Sequence, residues 1–256
     1  MVEVEREGAI ARVWFNRPEK HNALAPELGR ALVDSLAGLA DDATCRVVVL
    51  GGRGRSFCAG ADLEVMKASA NATFEENLAE AESLGGTFAA VAEFPKPVIG
   101  RIQGGVYGGG VGFTCACDIA VASDDATFGL TEVRLGIVPG LISPWVIRRL
   151  GDRRARELML TGERFGAAAA LDFGLVHHVV PADQLDAKVA ERAGEVLKGG
   201  PAAQARIKGM LARWGNEGWD DYRAALPRTL ADARSGDEAR EGLASFFEKR
   251  KPKWVE

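Results

Sequence analysis

The strongest constraint on this chain is a repeated pattern: short runs of β-branched residues closed by glycine or proline, alternating with stretches of helical spacing. Arg46-Val47-Val48-Val49-Leu50, ended by Gly51-Gly52, is the clearest such run. Its continuous apolar character reads as a strand buried on both faces. Upstream, Val2 to Arg6 and Ala9 to Phe15 flank Glu7-Gly8 and read as a hairpin. Between hairpin and strand, Pro26 to Ala40 places Leu28, Ala31, Leu32, Ser35, Leu36 and Leu39 at helical spacing. Phe74 to Phe94 reads as a long helix with Leu78, Ala81, Leu84, Phe88 and Val91 on one face, stopped by Pro95 and Pro97. Val98 to Ile102 is the next strand, Gly108 to Cys117 a helix opened by glycine, and Ile119 to Ala122 a further strand. This alternation argues a mostly parallel α/β core.

After Val176 to Val180 the pattern changes. Ala182 to Leu197, Pro201 to Trp214 and Asp237 to Arg250 are all helical in spacing, with no strand-like run between them. We therefore expect a core over residues 1–190 and a helical region over 191–256, an appendage rather than an independent domain. Lys67 to Phe74 reads as a mobile loop beside a ligand.

Composition narrows the function classes. At 256 residues, with 47% hydrophobic and 27% charged, the chain can bury a core without disulfide or metal staples. A formal charge of -4 offers no general attraction to nucleic acid or to an anionic membrane. The N-terminus is acidic where a signal peptide is basic, and no stretch approaches the roughly 20 apolar residues of a membrane span. Cys45, Cys58, Cys115 and Cys117 form no CxxC pair, which suits buried thiols in a reducing cytoplasm. His21, His177 and His178 lack the spacing of a metal site, so no metal is expected.

Three segments carry candidate chemistry: Gly54 to Leu63, Gly104 to Asp118, and Phe128 to Gly140. In the first two, small residues follow a strand, so backbone amides can face a ligand with no Cβ in the way. A helix opening near Gly109 would add its positive end to those amides. No GxGxxG, GxxxxGK[ST] or GxSxG pattern is present, which argues against dinucleotide, P-loop and serine-hydrolase chemistry. Asp62 reads as an anchor for its own loop. Arg53, Arg55, Lys20 and Lys249 are basic residues able to meet phosphates.

On these segments the chain resembles the crotonase (enoyl-CoA hydratase/isomerase) superfamily along essentially its whole length. The resemblance rests on Asn16-Arg17-Pro18-Glu19-Lys20-His21-Asn22-Ala23-Leu24, the AGADL segment at 59–63, the Gly108-Gly109-Gly110 turn followed by CDIAVAS, EVRLGIVPG from Glu132, and Phe246 to Arg250. It implies an α/β spiral of ββα turns closed by a C-terminal helical trimerisation region, and a homotrimer or hexamer. It implies an acyl-CoA thioester as substrate, with coenzyme A part of that substrate and no separate cofactor. The amides of Ala61 and Gly109 would form an oxyanion hole; Lys20, Ala23, Ala59, Asp62, Leu63, Tyr107, Gly108, Phe247 and Lys249 would contact substrate or CoA. Two fixed amides suit a reaction that places negative charge on a thioester oxygen, and each is worth roughly 3 kcal/mol in comparable sites.

Of the two glutamates carried by typical hydratases of the family, the second falls on Glu132 and the first on Gly112. Glu132 is thus the one family-matched carboxylate for proton transfer. Hydration or dehydration of an enoyl-CoA is the preferred reaction. Ile142-Ser143-Pro144 resembles the methylglutaconyl-CoA hydratase-like branch. Isomerisation of a 3-enoyl to a 2-enoyl thioester with one glutamate, and acyl-CoA binding without catalysis, are the alternatives.

Overall fold

The computed structural model describes residues 1–255. Strands β1 (Val2–Glu7) and β2 (Ile10–Phe15) form the expected antiparallel hairpin, turned at Gly8 with φ 57°. Helix α1 (Pro26–Asp41) returns the chain to β3 (Val47–Gly52), which runs parallel to β2. Two helices follow, α2 (Leu63–Ser69) and α3 (Phe74–Ala92), then β4 (Val98–Ile102), parallel to β3. The Lys67 to Phe74 loop expected from sequence is therefore only a short connection between two helices. Thr73 caps α3 reciprocally with Glu76, which is why the helix begins there.

At Gly104, with φ 56°, the chain leaves the main sheet and starts a second one with β5 (Gly105–Tyr107). Helix α4 (Gly109–Ala116) leads back to β6 (Ile119–Ser123) beside β4, and β7 (Thr127–Gly129) returns to β5. Helix α5 (Ser143–Thr161) is kinked at Gly151, where φ 72° and ψ 161° interrupt the helical backbone. Strand β8 (Arg164–Gly166) joins β7, α6 (Ala167–Asp172) follows, and β9 (His178–Val180) completes the main sheet. The main sheet runs β1-β2-β3-β4-β6-β9 and the small one β5-β7-β8.

The main sheet is covered on both faces. Val48 and Leu50 point into the principal core with Leu28, Leu32, Phe88 and Phe113. Val47 and Val49 point the other way, onto Leu185, Val189 and Ala193 of α7 (Leu185–Leu197). Burial on both sides is the physical reason for the uninterrupted apolar run in β3. All four cysteines are buried free thiols, and burial pushes those of Cys58, Cys115 and Cys117 up to about 12.

Beyond α7 come α8 (Pro201–Trp214), α9 (Trp219–Ser235) and α10 (Asp237–Phe247). Sequence spacing did not reveal α9, because Pro227 sits inside it and breaks the expected pattern. Neither α8 nor α9 has a buried residue in the single chain. Lys208 nevertheless ties α8 to the core through Asp118, at 2.5 Å, and Asp118 also accepts the Val98 amide. Among the described residues, no helix is long and apolar enough to cross a membrane.

Candidate active site

Two glycine-turned loops meet backbone to backbone at the carboxyl ends of the strands. Leu24 donates its amide to the Gly60 carbonyl at 2.7 Å, and Asp62 donates to the Leu24 carbonyl at 2.9 Å. These bonds pin Gly60 and Asp62 on either side of Ala61. In a parallel pairing of this kind the groups of the intervening residue face the opposite side, so the Ala61 amide points away from Leu24, and Ala61 is exposed. On the other loop, Gly108 precedes α4 with φ 50° and ψ -113°, a backbone state that favours glycine. Gly109 is the first residue of that helix, so its amide has no partner within the helix.

The loops are in close contact. A β-carbon built on Gly60, itself at φ 93°, would lie 3.1 Å from the Tyr107 carbonyl oxygen and 3.9 Å from the Gly108 nitrogen. One built on Gly108 would lie 3.7 Å from the Gly60 α-carbon. Glycine at both positions is what lets the loops approach.

Glu132 stands against this junction. It lies in the 3-10 turn Thr131–Leu135, which Gly136 ends at φ 74°. Its Oε1 would be 2.9 Å from a β-carbon at position 108, and its Oε2 is buried with no hydrogen-bond partner among the described residues. Burial raises its pKa above the ordinary glutamate value, outweighing the hydrogen bond from its own backbone. Arg134, two residues on, makes no ion pair among the described residues; it donates to the Thr161 carbonyl at 3.3 Å.

Along α4 the next position on the same face is Gly112. There a β-carbon would fall 2.3 Å from Ile142 Cγ2 and 3.0 Å from Phe88 Cε1. At Gly109 it would meet Leu24 Cδ2 at 3.2 Å and Phe88 Cζ at 3.6 Å. Leu24, Phe88 and Ile142 thus make an apolar wall beside the junction. Sequence reasoning named Leu24 and Ile142 only within family-like runs and Phe88 only on a helix face, and did not bring the three together at the junction.

Asp62 does anchor its loop. Its carboxylate caps α2 by accepting the Glu64 amide at 2.9 Å and pairs with Arg17 at 2.8 Å. Burial pushes its pKa up, but the Glu64 amide, Arg17 and Lys20 outweigh that and hold it below the usual range. Lys20 lies beside the same loop, 2.7 Å from Glu64 and 3.6 Å from Asp62. Ala23 is buried and Ala59 half-buried; the Ala59 amide donates to the His21 carbonyl at 3.0 Å, while Leu63 is exposed at the start of α2. Tyr107 brings its carbonyl to Gly60, whereas its half-buried ring lies under the Arg164 guanidinium at 4.9 Å. Arg53 is engaged by Glu3 at 3.0 Å and by Glu5. Arg55 contacts the His21 ring at 2.8 Å. Phe247 and Lys249 sit at the end of α10, and among the described residues no hydrogen bond or ion pair joins them to either loop. No group of three or more His, Cys, Asp or Glu side chains is gathered to hold a metal among the described residues.

Backbone amides without a helical or ladder partner on touching loops, with a desolvated carboxyl beside them, are the kind of groups that can polarise a carbonyl oxygen and move a proton next to it. Comparison with known proteins gives this chemistry a family. The enoyl-CoA hydratase/isomerase family model matches residues 5–256. A hydroxycinnamoyl-CoA hydratase-lyase of Pseudomonas fluorescens is 34% identical over 96% of this chain and 92% of its own. A mevalonyl-coenzyme A hydratase of Aspergillus fumigatus is 35% identical over 96% of this chain and 91% of its own. The crystal structure of an enoyl-CoA hydratase from Shewanella pealeana superposes with a TM-score of 0.94 at 35% identity, covering 99% of this chain and 95% of the other. The chain belongs to the enoyl-CoA hydratase/isomerase family and has the crotonase fold. It is an enzyme of that family, and an acyl-CoA thioester is its class of substrate.

Proposed function

We propose that this enzyme adds water to, or removes it from, an enoyl-CoA, with the Ala61 and Gly109 amides receiving the thioester oxygen and Glu132 carrying the proton. The observation that carries this reading is the buried, unpartnered Oε2 of Glu132 beside the Gly60–Gly108 junction. In the dehydration direction the Glu132 carboxylate takes the C2 proton, and the C2–H electron pair moves onto the thioester oxygen, where the two amides stabilise it. As the enolate collapses, the C3–O bond breaks and C2=C3 forms. The leaving hydroxide takes the proton from Glu132 and departs as water, which restores the carboxylate. Hydration is the reverse. The hydratase names of the relatives at 34% and 35% identity favour this direction of chemistry.

The same single carboxyl is chemically suited to moving a proton from C2 to C4, which would make the enzyme a 3-enoyl to 2-enoyl isomerase. A mass-spectrometric panel of enoyl-CoA esters in deuterated water separates the two. Product heavier by one water supports hydration; deuterium uptake without added water replaces it with isomerisation. Binding with no turnover across the panel would defeat both.

The reading includes a homotrimer or hexamer. Helices α8 and α9 have no fully buried residue within one chain, and Trp214, Trp219, Phe246 and Phe247 are each more than half exposed. Apolar surface on that scale calls for a covering surface, and a second copy supplies one. Light scattering of the purified protein reads the assembly directly; a monomer at micromolar concentration overturns this part.

A further inference from the structure

We propose that Asn22 is a positioning residue for the Ala61 amide: one buried side-chain carboxamide grips two loops at once and fixes the second against the first. The proposal rests on the reading of Ala61 as a donor to the thioester oxygen. Asn22 is 0% exposed, so it offers no surface to a substrate. Its Oδ1 accepts the Arg17 amide at 2.8 Å, while its Nδ2 donates to the Arg53 carbonyl at 2.9 Å and the Ser56 carbonyl at 2.8 Å. One edge of the side chain thus closes the 17–22 turn, which carries Lys20. The other edge ties that turn to residues 53–56, where the loop leading to Ala61 begins.

The surroundings call for asparagine in particular. The residue holds φ 54°, a left-handed state that asparagine tolerates better than most side chains. Its partners are one N–H and two carbonyl oxygens, a set that a carboxamide matches. A carboxylate would turn an oxygen toward both carbonyls, and an aliphatic side chain would leave three backbone groups without their partner. Gly52 leaves room for the contact, since a β-carbon there would stand 2.7 Å from Nδ2. Gln103 holds the same turn, donating to the Gly52 carbonyl at 2.6 Å and accepting the Phe57 amide on its own carbonyl at 2.8 Å. Further along, Ala59 donates to the His21 carbonyl, and Leu24 bonds Gly60 and Asp62. The seam is therefore anchored by Asn22 at its start and by Leu24 on either side of Ala61. The Ala61 amide keeps its direction only while both anchors hold.

The test compares wild type, Asn22→Asp and Asn22→Gly on the best substrate of the enoyl-CoA panel above. Asn22→Asp retains an acceptor for the Arg17 amide but loses the donor to Arg53 and Ser56. Its kcat is expected to fall by about 100-fold, as for a group misplaced by about 1 Å, with KM within about threefold of wild type. Asn22→Gly keeps the left-handed backbone and loses all three bonds, so KM should rise as well. Wild-type kcat in Asn22→Gly, or a raised KM with unchanged kcat in Asn22→Asp, overturns the proposal. Failure of both variants to fold also overturns it, by making Asn22 a determinant of the fold alone. Hydrogen–deuterium exchange needs no turnover: peptides over 53–62 should exchange about tenfold or more faster in Asn22→Asp, while β4 keeps its protection. Acceleration spread evenly over the main sheet would be a general loss of stability and would defeat the positioning role. If wild type turns over no enoyl-CoA, the function proposed above fails, and the exchange result alone decides what Asn22 does.

Discussion

Glu132 and Gly108 approach so closely that a side chain at residue 108 would push the carboxyl aside: a β-carbon there would stand 2.9 Å from Oε1. The same glycine holds φ 50° and ψ -113° and so turns the chain into α4. Gly108→Ala would strain the backbone and displace the carboxyl together. We expect kcat/KM to fall by about 100-fold or more, and stability to fall by about 1–3 kcal/mol. Steady-state kinetics with urea unfolding measures both; full activity in this variant would place the chemistry elsewhere.

Glu132→Gln keeps the shape of the side chain and removes its proton chemistry. Turnover should drop by about 10²–10⁴-fold, with binding of CoA esters retained. At neutral pH the variant should also be more stable, with a midpoint raised by about 1–3 °C, because a desolvated charge is no longer forced to form. A loss of stability on this substitution would mean that the buried carboxylate has a compensating partner.

Because burial raises the Glu132 pKa in the folded protein, folding binds a proton at this group more tightly than the unfolded chain does. Its contribution to stability is whole below the unfolded glutamate value of about 4.3 and is lost as pH rises through the folded value. The stability gap between wild type and Glu132→Gln should therefore open with rising pH and close near pH 4. Over the same interval wild-type kcat/KM should rise, since the reaction begins from the ionised carboxyl. Thermal melts and initial rates across one pH series test the two trends; a gap that widens toward acid contradicts the sign.

Asp62 supports the loop that carries Ala61 from both sides, through the Glu64 amide and Arg17. Asp62→Ala removes the cap of α2 and leaves the largely buried Arg17 guanidinium without its carboxylate. The cost is expected at about 2–4 kcal/mol, with KM for acyl-CoA rising more than kcat falls. The Asp62 pKa is held low in the folded protein, so the support is present above the unfolded aspartate value and fades as pH drops through the folded one. Calorimetry of the variant and wild type down to acid pH checks this.

Lys208→Met should loosen the attachment of α8 without touching the site. The ion pair with Asp118 is short, and the lysine side chain is only 11% exposed. Removing it leaves Asp118 with the Val98 amide, and the expected loss is about 1–3 kcal/mol. Urea midpoints measure it; an unchanged midpoint would show that the helical region is held by other contacts.

Much of this molecule could be read along the chain. Val47 to Leu50 announced a strand buried on both faces, and helices α1 and α3 followed from apolar spacing, because those signals are local and repeat with the element's own period. Ala61, Gly109 and Glu132 became candidates only through the resemblance to the crotonase superfamily, on the AGADL segment, the glycine turn and the run from Glu132; local pattern gave only glycine-rich turns after strands. Helix α9 escaped because Pro227 interrupts the period, and α2 because its short span leaves too few turns to show one.

Tertiary structure alone decided the rest. Nothing in the chain near Gly112 says that Ile142 fills its missing side chain, or that Phe88 closes the same gap from a third helix. Nor does the sequence around Glu132 say that one of its oxygens will lie buried without a partner. Local pattern follows from the covalent order of residues, whereas complementarity and desolvation depend on which distant atoms end up touching. The first is written in the chain, and the second exists only once the chain has packed.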